Sequence, residues 1–260
     1  MRFGICVPPE MAVKATKIGF DFVELPGAVL ALMAEDEFVS LCAEYEENRV
    51  KVESLNAIFT PDQRIVGSDA DDPEELFAFF DRMIERGARL GIDQFGVGGG
   101  AARMVKDGES VIGACGQYIA FVRALCGRAA KYGIRVSIEH LNRGETNFIN
   151  SVDESLALHG AIARDNCCIL IDAYHGEFEK TPEYIKKAGK LISHAHVACP
   201  EGRFWPRIGD GADYAPMLRA LAENGVPGRV SVEGFAPEGA EPDTAMKETL
   251  EAMREAQARM

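Results

Sequence analysis

Eight short apolar runs, rich in valine and isoleucine, recur along the chain, and longer amphipathic segments separate them. Runs of this length, bounded by glycine, proline or asparagine, are typical of strands buried on both faces. Because parallel strands need a crossover between them, usually a helix, the alternation predicts a parallel sheet. The predicted strands are RFGICV from Arg2, FDFVELP from Phe20, VKVESLNAI from Val50, QFGVGGG from Gln94, RVSIEHL from Arg135, CCILIDAYH from Cys167, LISHAHVA from Leu191 and GRVSVEGF from Gly228.

Eight amphipathic segments predict the helices that connect these strands. The clearest has a start signal in Asp72-Pro73 and a stop signal in Gly91. The other predicted helices are near Pro9–Gly19 and Glu35–Asn48, then Glu109–Gly133, Ser151–Asp165, Thr181–Gly189, Asp213–Gly225 and Asp243 to the C-terminus. Right-handed crossovers can close eight such units into a (β/α)8 TIM barrel. We therefore predict one such barrel, a single domain over residues 1–260.

An open, doubly wound sheet is the structural alternative. Such a sheet usually carries a glycine-rich phosphate-binding loop after its first strand. Here the first strand is followed by Val7-Pro8-Pro9-Glu10, which does not form that loop. Gly98-Gly99-Gly100 follows the fourth strand instead, and we interpret it as a turn that leaves room for a substrate at the barrel mouth. The barrel is the better prediction.

The charge balance argues against two classes of partner. The net charge is -13 and the sequence pI is about 4.9. An acidic surface repels nucleic acid phosphates and anionic membranes, so we expect neither as a partner.

The first residues lack a signal peptide pattern, and the seven cysteines show no C-x-x-C spacing. We expect a cytoplasmic protein that acts on a small molecule, with a homo-oligomer left open.

Strand parity places polar side chains on the inner face of the last four strands. Successive side chains point to opposite faces, so the valines and isoleucines of these strands face the helices. Glu139, Asp172, His196 and Glu233 fall on the other face, near the C-terminal ends of their strands. Because active sites of these barrels gather at that end, the four residues predict a site there.

Three carboxylates at one depth require a positive charge. Burying them together is costly, since each loses water and they repel one another. No lysine or arginine shares the inward positions of these carboxylates at the strand ends, so one divalent metal ion is the simplest compensation. Carboxylates with one imidazole suit Mn2+, Mg2+ or Co2+, and Mn2+ is our first choice. The alternative is that each acid pairs separately with an arginine or lysine from a loop.

At these residues the chain resembles the xylose-isomerase-like sugar isomerases and epimerases, and within them the ketose 3-epimerases of the D-tagatose/D-psicose type. The resemblance implies that Glu139, Asp172, His196 and Glu233 bind the metal and that Glu139 and Glu233 also transfer protons. The motifs that carry it are IEHLNRGE (Ile138 to Glu145), IDAYH (Ile171 to His175), HAHV (His194 to Val197) and SVEGF (Ser231 to Phe235).

The resemblance also implies residues that contact the sugar. They are Glu145, His175 and an arginine shortly after His196, for which Arg203 is the nearest candidate and Arg207 the alternative. The aromatic pair Phe204-Trp205 either forms a wall for the sugar or packs the loop down.

The predicted activity is that of a metal-dependent isomerase. A carboxylate can remove the weakly acidic hydrogen beside a ketone, and a second one can return a proton to the other face of the carbon. Return to the adjacent carbon would interconvert aldose and ketose instead. The resemblance favours ketose 3-epimerisation. The alternatives are an aldose–ketose or hydroxypyruvate-type isomerase, a dehydratase or lyase, a non-catalytic sugar-binding barrel and an abasic-site nuclease.

Overall fold

The eight predicted strands form one closed parallel barrel. The computed structural model describes residues 1–226 and 228–260, and the strands follow one another around the barrel in chain order. The ring closes where β1 pairs with β8, with Ile5 opposite Val232. The predicted (β/α)8 TIM barrel is therefore confirmed. The strands are β1 Arg2–Cys6, β2 Phe22–Pro26, β3 Val52–Asn56, β4 Gln94–Val97, β5 Arg135–Glu139, β6 Cys167–Asp172, β7 Ile192–Val197 and β8 Arg229–Val232.

The helices surround the barrel, and the described residues contain nine rather than eight. The additional one, Gly27–Leu32, follows β2 directly; its six residues GAVLAL are too short and too uniformly apolar to show a helical period. The helices are α1 Ala12–Ile18, α2 Gly27–Leu32, α3 Glu35–Asn48, α4 Pro73–Leu90, α5 Val111–Ala129, α6 Val152–Ile162, α7 Thr181–Ala188, α8 Ala215–Glu223 and α9 Pro242–Ala258.

In the described part of the chain, no helix has both the length and the apolar character needed to cross a bilayer.

Helix α4 begins and ends where the sequence predicts. The Asp72 carboxylate accepts hydrogen bonds from the backbone amides of Glu74 and Glu75, which otherwise lack partners at a helix start. Gly91 ends the helix with a φ of 93°, a left-handed conformation that glycine adopts without a steric penalty. The helix is thereby held at both ends while its apolar face packs against the barrel.

Alternate side chains of each strand face two different environments, the core between strands and helices on one side and the barrel interior on the other. The outward residues of β5 and β6, such as Val136, Ile138, Ile169 and Ile171, are buried in the main core between strands and helices. The inward positions that alternate with them include polar side chains as well as apolar ones such as Leu170. Ser137, for example, is fully buried inside the barrel and hydrogen-bonds to Gln94. The barrel interior thus contains a polar layer beneath the strand ends.

An ionic cluster closes the N-terminal end of the barrel. Arg229, which is only 3% exposed, bridges Glu53 at 3.1 Å and Asp93 at 2.5 Å. Arg2 pairs with the same glutamate, and Arg135 with the same aspartate. The cluster therefore ties β1, β5 and β8 to the residues at the starts of β3 and β4.

We predict that Arg229→Ala lowers the free energy of unfolding by roughly 2–4 kcal/mol, because it leaves two carboxylates without their shared partner. Urea denaturation would measure the loss. Lys180→Ala is the control, since its ion pair with Glu177 is exposed and its loss should leave the free energy of unfolding nearly unchanged. Equal effects of the two substitutions would contradict a structural role for the buried cluster.

Candidate active site

The structure brings together the four residues that strand parity selected. Glu139, Asp172, His196 and Glu233 each offer one ligand atom, and these atoms all lie within 4.8 Å of one another. Glu139 and Asp172 are the last residues of β5 and β6, His196 lies near the end of β7, and Glu233 directly follows β8. Neighbouring parallel strands therefore deliver all four donors to one point at the barrel mouth.

Glycine after β4 makes room for one of these carboxylates. A Cβ atom on Gly98 would lie 2.5 Å from Oε2 of Glu139, a distance too short for non-bonded atoms. The sequence interpretation gave this space to the substrate. In the structure the Glu139 side chain occupies it, so the glycine fixes the carboxylate's position.

Excess negative charge marks the cluster. Burial and the charge of Glu233 raise the pKa of Asp172 to about 7. Burial lowers the pKa of His196, but Glu233 and Glu24 outweigh it and hold that pKa well above its ordinary value. The site thus attracts positive charge, in the form of a proton or of a cation.

Two unpartnered atoms indicate that the residues fit a metal ion. Oε1 of Glu139 and Nδ1 of His196 are buried and have no hydrogen-bond partner. Nδ1 lies 3.2 Å from Oε2 of Glu233 and 3.7 Å from Oε1 of Glu139. Buried polar atoms of this kind need a partner, and three carboxylates with one imidazole are a donor set for a divalent ion.

Arg203 reaches into the same cluster from the loop after β7. Its Nη2 donates to Glu233 at 2.7 Å and lies 3.4 Å from Oδ2 of Asp172, while Nη1 lies 3.3 Å from Glu145. The alternative of acids paired with a loop arginine therefore holds in part. One guanidinium, however, supplies one positive charge to a site with three buried carboxylates, so it does not balance them.

The backbone around Arg203 is held in an unusual conformation. Arg203 has a φ of 55°, in the left-handed region that side chains other than glycine rarely adopt. The residue pairs with the chain after β8: its carbonyl accepts from the Phe235 amide, and a Cβ on Gly234 would lie 2.2 Å from that oxygen. Gly234 thus lets the two loops approach and aims the guanidinium inward.

The positions of Arg207 and Trp205 bear on two open sequence alternatives. Arg207 is exposed, so Arg203 is the arginine of this loop that reaches the cluster. Trp205 is 5% exposed, and its indole nitrogen donates to the Gly234 carbonyl at 3.1 Å, so this tryptophan packs the loop down.

His175 and Glu145 lie beside the cluster. Nε2 of His175 is 3.3 Å from Asp172, and Nδ1 is 3.0 Å from Asn142, which also donates to Glu145. Burial, with the charge of Arg203, lowers the pKa of His175 to about 4. A neutral imidazole next to a half-exposed carboxylate can exchange hydrogen bonds with hydroxyl groups.

Sequence reasoning missed two residues. Asn56, the last residue of β3, donates to Oε1 of Glu233 at 2.7 Å. Glu24 of β2 is fully buried and accepts hydrogen bonds from His194 and His196. The parity of FVELP, with Phe22 and Glu24 on one face, was the available signal for Glu24.

A cavity opens from the cluster to the barrel mouth. It has a volume of about 360 Å3, within the range of roughly 300–1,000 Å3 for small-molecule sites. Asn56, Arg203 and Glu233 form its polar side, while Pro8 and Phe235 contribute apolar surface. Of the four donors, Glu233 lines this cavity, so a small polar molecule can reach the cluster from here.

Comparison with known proteins places the chain in a family. Residues 12–256 match the model of the xylose isomerase-like TIM barrel. The chain belongs to this family. It is 26% identical over 191 residues to the D-psicose 3-epimerase of Agrobacterium fabrum, a match that covers 71% of this chain and 65% of that protein. It is 27% identical over 237 residues to the ketose 3-epimerase of Arthrobacter globiformis, with 88% and 78% covered.

Solved structures agree on the fold. The D-psicose 3-epimerase from Clostridium cellulolyticum H10, determined with D-tagatose, superposes with a TM-score of 0.83 over 99% of both chains at 21% identity. The family resemblance predicted from the four motifs is confirmed by the match to the family model and by the two relatives.

We predict that Arg203→Ala destabilises the metal-free protein and enlarges the stabilisation that Mn2+ provides. Without the guanidinium, Glu233 and Asp172 repel each other until a cation binds, and ligand binding to the folded state raises Tm by mass action. Thermal unfolding with chelator and with Mn2+ would measure both effects. Arg207→Ala, the exposed control, should behave as the unchanged protein; a smaller Mn2+ effect in Arg203→Ala than in Arg207→Ala would contradict the prediction.

Proposed function

We propose that the protein is a metal-dependent ketose 3-epimerase. The observation that carries the proposal is the convergence of Glu139 and Glu233 on one buried point, beside a cavity of about 360 Å3 that Glu233 lines. Two relatives with matches over most of this chain are named for 3-epimerisation of ketoses, which agrees with the reaction class predicted from the motifs.

Glu139, Asp172, His196 and Glu233 would hold one divalent ion, with Mn2+ as the proposed metal. When bound, the ion would stabilise negative charge that develops on the substrate oxygens. Glu145, His175 and Arg203 would contact sugar hydroxyl groups, since they lie beside the four donors and within ion-pair distance of one another or of Asp172.

The two glutamates would transfer the protons. One carboxylate removes the hydrogen from C3 as a proton; the electron pair left behind forms the C2–C3 double bond, and the π pair of the C2 carbonyl moves to its oxygen, which gives an enediolate. The other carboxylic acid returns a proton to C3 from the opposite face, which inverts that carbon. Asn56 holds Oε1 of Glu233 through its amide hydrogen, so Oε2 remains directed into the cluster.

The reaction is tested by incubating the Mn2+-loaded protein with D-fructose, D-tagatose and D-ribulose in D2O and following proton NMR. Ketose 3-epimerisation places deuterium at C3 of the product epimer. Deuterium at C1 or C2 of an aldose would instead identify an aldose–ketose isomerase, and loss of water would identify a dehydratase. Cleavage of abasic DNA without sugar turnover would replace the proposal with the nuclease alternative.

The proton-transfer roles predict distinct defects in Glu139→Gln and Glu233→Gln. An amide oxygen can still bind metal but is not a base at neutral pH, so saturating Mn2+ should leave turnover about 10²–10⁴-fold below the unchanged protein. Glu44→Gln, on the exposed face of α3, is the matched control.

Solvent exchange separates the two roles further. From a given epimer, only the variant that keeps the base for that face should exchange the C3 hydrogen with D2O without completing the reaction. The opposite variant should do so from the opposite epimer. Full turnover in either variant would rule out the two-glutamate mechanism.

A further inference from the structure

A fully buried carboxylate lies directly beneath the proposed metal site. Glu24, in the middle of β2, is 0% exposed and accepts three hydrogen bonds. Its Oε2 accepts from Nε2 of His194 at 2.8 Å and from Nε2 of His196 at 3.1 Å, and its Oε1 accepts from the Ser54 hydroxyl at 2.7 Å. Burial of a charged carboxylate is costly, so a residue of this kind needs a reason to be there.

The hydrogen bond from Nε2 determines what the other nitrogen of His196 can do. An imidazole that donates from Nε2 can present the lone pair of Nδ1, and this Nδ1 is buried without a hydrogen-bond partner. It lies within 4 Å of Glu139 and Glu233. Nδ1 of His194 is also unpartnered, but no described carboxylate oxygen lies within ion-pair distance of it. Only one of the two histidines therefore faces the site.

A chain of hydrogen bonds fixes Glu24 in place. From Ser54 of β3 it continues to Gln94 of β4, to Ser137 of β5 at 2.9 Å, and to Ser193 of β7 at 2.5 Å. The chain crosses the barrel interior, and all five of its residues, Glu24 included, are at most 1% exposed. Glu24 thus cannot turn away from His196 without breaking contacts on several strands.

We infer that Glu24 is a positioning residue, which orients the His196 ring and selects the form protonated at Nε2, so that Nδ1 is presented to the metal ion. Carboxylates that hold the outer nitrogen of a ligating histidine typically improve metal affinity by about 10–100-fold. The inference rests on the metal binding of the proposed function but not on its sugar chemistry.

Metal affinity tests this role without an activity assay. Calorimetry of chelated protein should show Mn2+ binding about 10–100-fold weaker in Glu24→Gln than in the unchanged protein. Glu44→Gln is the matched control: it makes the same chemical change on the exposed face of α3, away from the site, so affinity should stay that of the unchanged protein. An affinity in Glu24→Gln within threefold of the unchanged protein would overturn the inference.

The alternative role for Glu24 is that of a metal ligand. Cys6, Glu24 and His196 also offer donor atoms within 4.8 Å of one another. If they bound a cation, Mn2+ or Zn2+ titration would show a second equivalent per chain, lost in both Glu24→Gln and Cys6→Ser. The positioning role predicts one equivalent and an unchanged Mn2+ affinity in Cys6→Ser; a second equivalent lost in both variants would overturn it.

Spectroscopy of the unchanged protein keeps the inference testable even if Glu24→Gln does not fold. In the Mg2+-loaded protein, which is diamagnetic, 15N-edited NMR should show His196 protonated at Nε2 with a downfield proton from its hydrogen bond to Glu24. Protonation at Nδ1 would overturn the inference. A protein that binds Mn2+ as described but turns over no sugar would refute the proposed function and leave the role of Glu24 standing.

Discussion

The concentration of negative charge at the C-terminal ends of the strands is the constraint on which the rest of this structure depends. Three carboxylates cannot share a buried point without compensation, because each has lost water and repels the others. Two sources can supply positive charge to these carboxylates. Arg203 supplies one from a loop, and the unpartnered Glu139 and His196 atoms leave a place for a divalent ion. Three features hold these charged groups close together. Gly234 lets its loop approach the loop of Arg203, Gly98 makes room for Glu139, and the Asn56 amide donates to Glu233.

The fold was predictable because its signal is local. Buried parallel strands are continuous apolar runs, and the helix between them shows its own period and end signals, as Asp72 and Gly91 do for α4. Strand parity then selected the four donors, since parallel strands end at one level and a one-residue shift would have turned each side chain outward. Helix α2 was missed for the same physical reason: six apolar residues contain less than two helical turns and show no period.

The rest of the site was not predictable from local pattern, because it depends on contacts between distant parts of the chain. Glu24 lies in an apolar run, and its partners His194 and His196 are 170 and 172 residues away. Asn56 contacts Glu233 across 177 residues. Arg203 was named only through the family resemblance, since a positive φ and a close approach to Gly234 bring it inward from a loop. No periodicity encodes a side chain that enters a barrel from above.

The barrel interior contains polar side chains because the buried polar groups of the site above it need hydrogen-bond partners. Layers of branched apolar side chains usually fill such an interior. Here an apolar layer beneath the mouth would remove the Ser54 hydroxyl from Oε1 of Glu24 and the Ser231 hydroxyl from His194, each at the cost of a less well satisfied buried polar group. Serines and Gln94 meet this demand by passing hydrogen bonds from strand to strand, and the ionic cluster around Arg229 seals the layer at the N-terminal end. The polar character of the site thus extends downward through the barrel, and the apolar core that stabilises the fold lies instead between the strands and the helices.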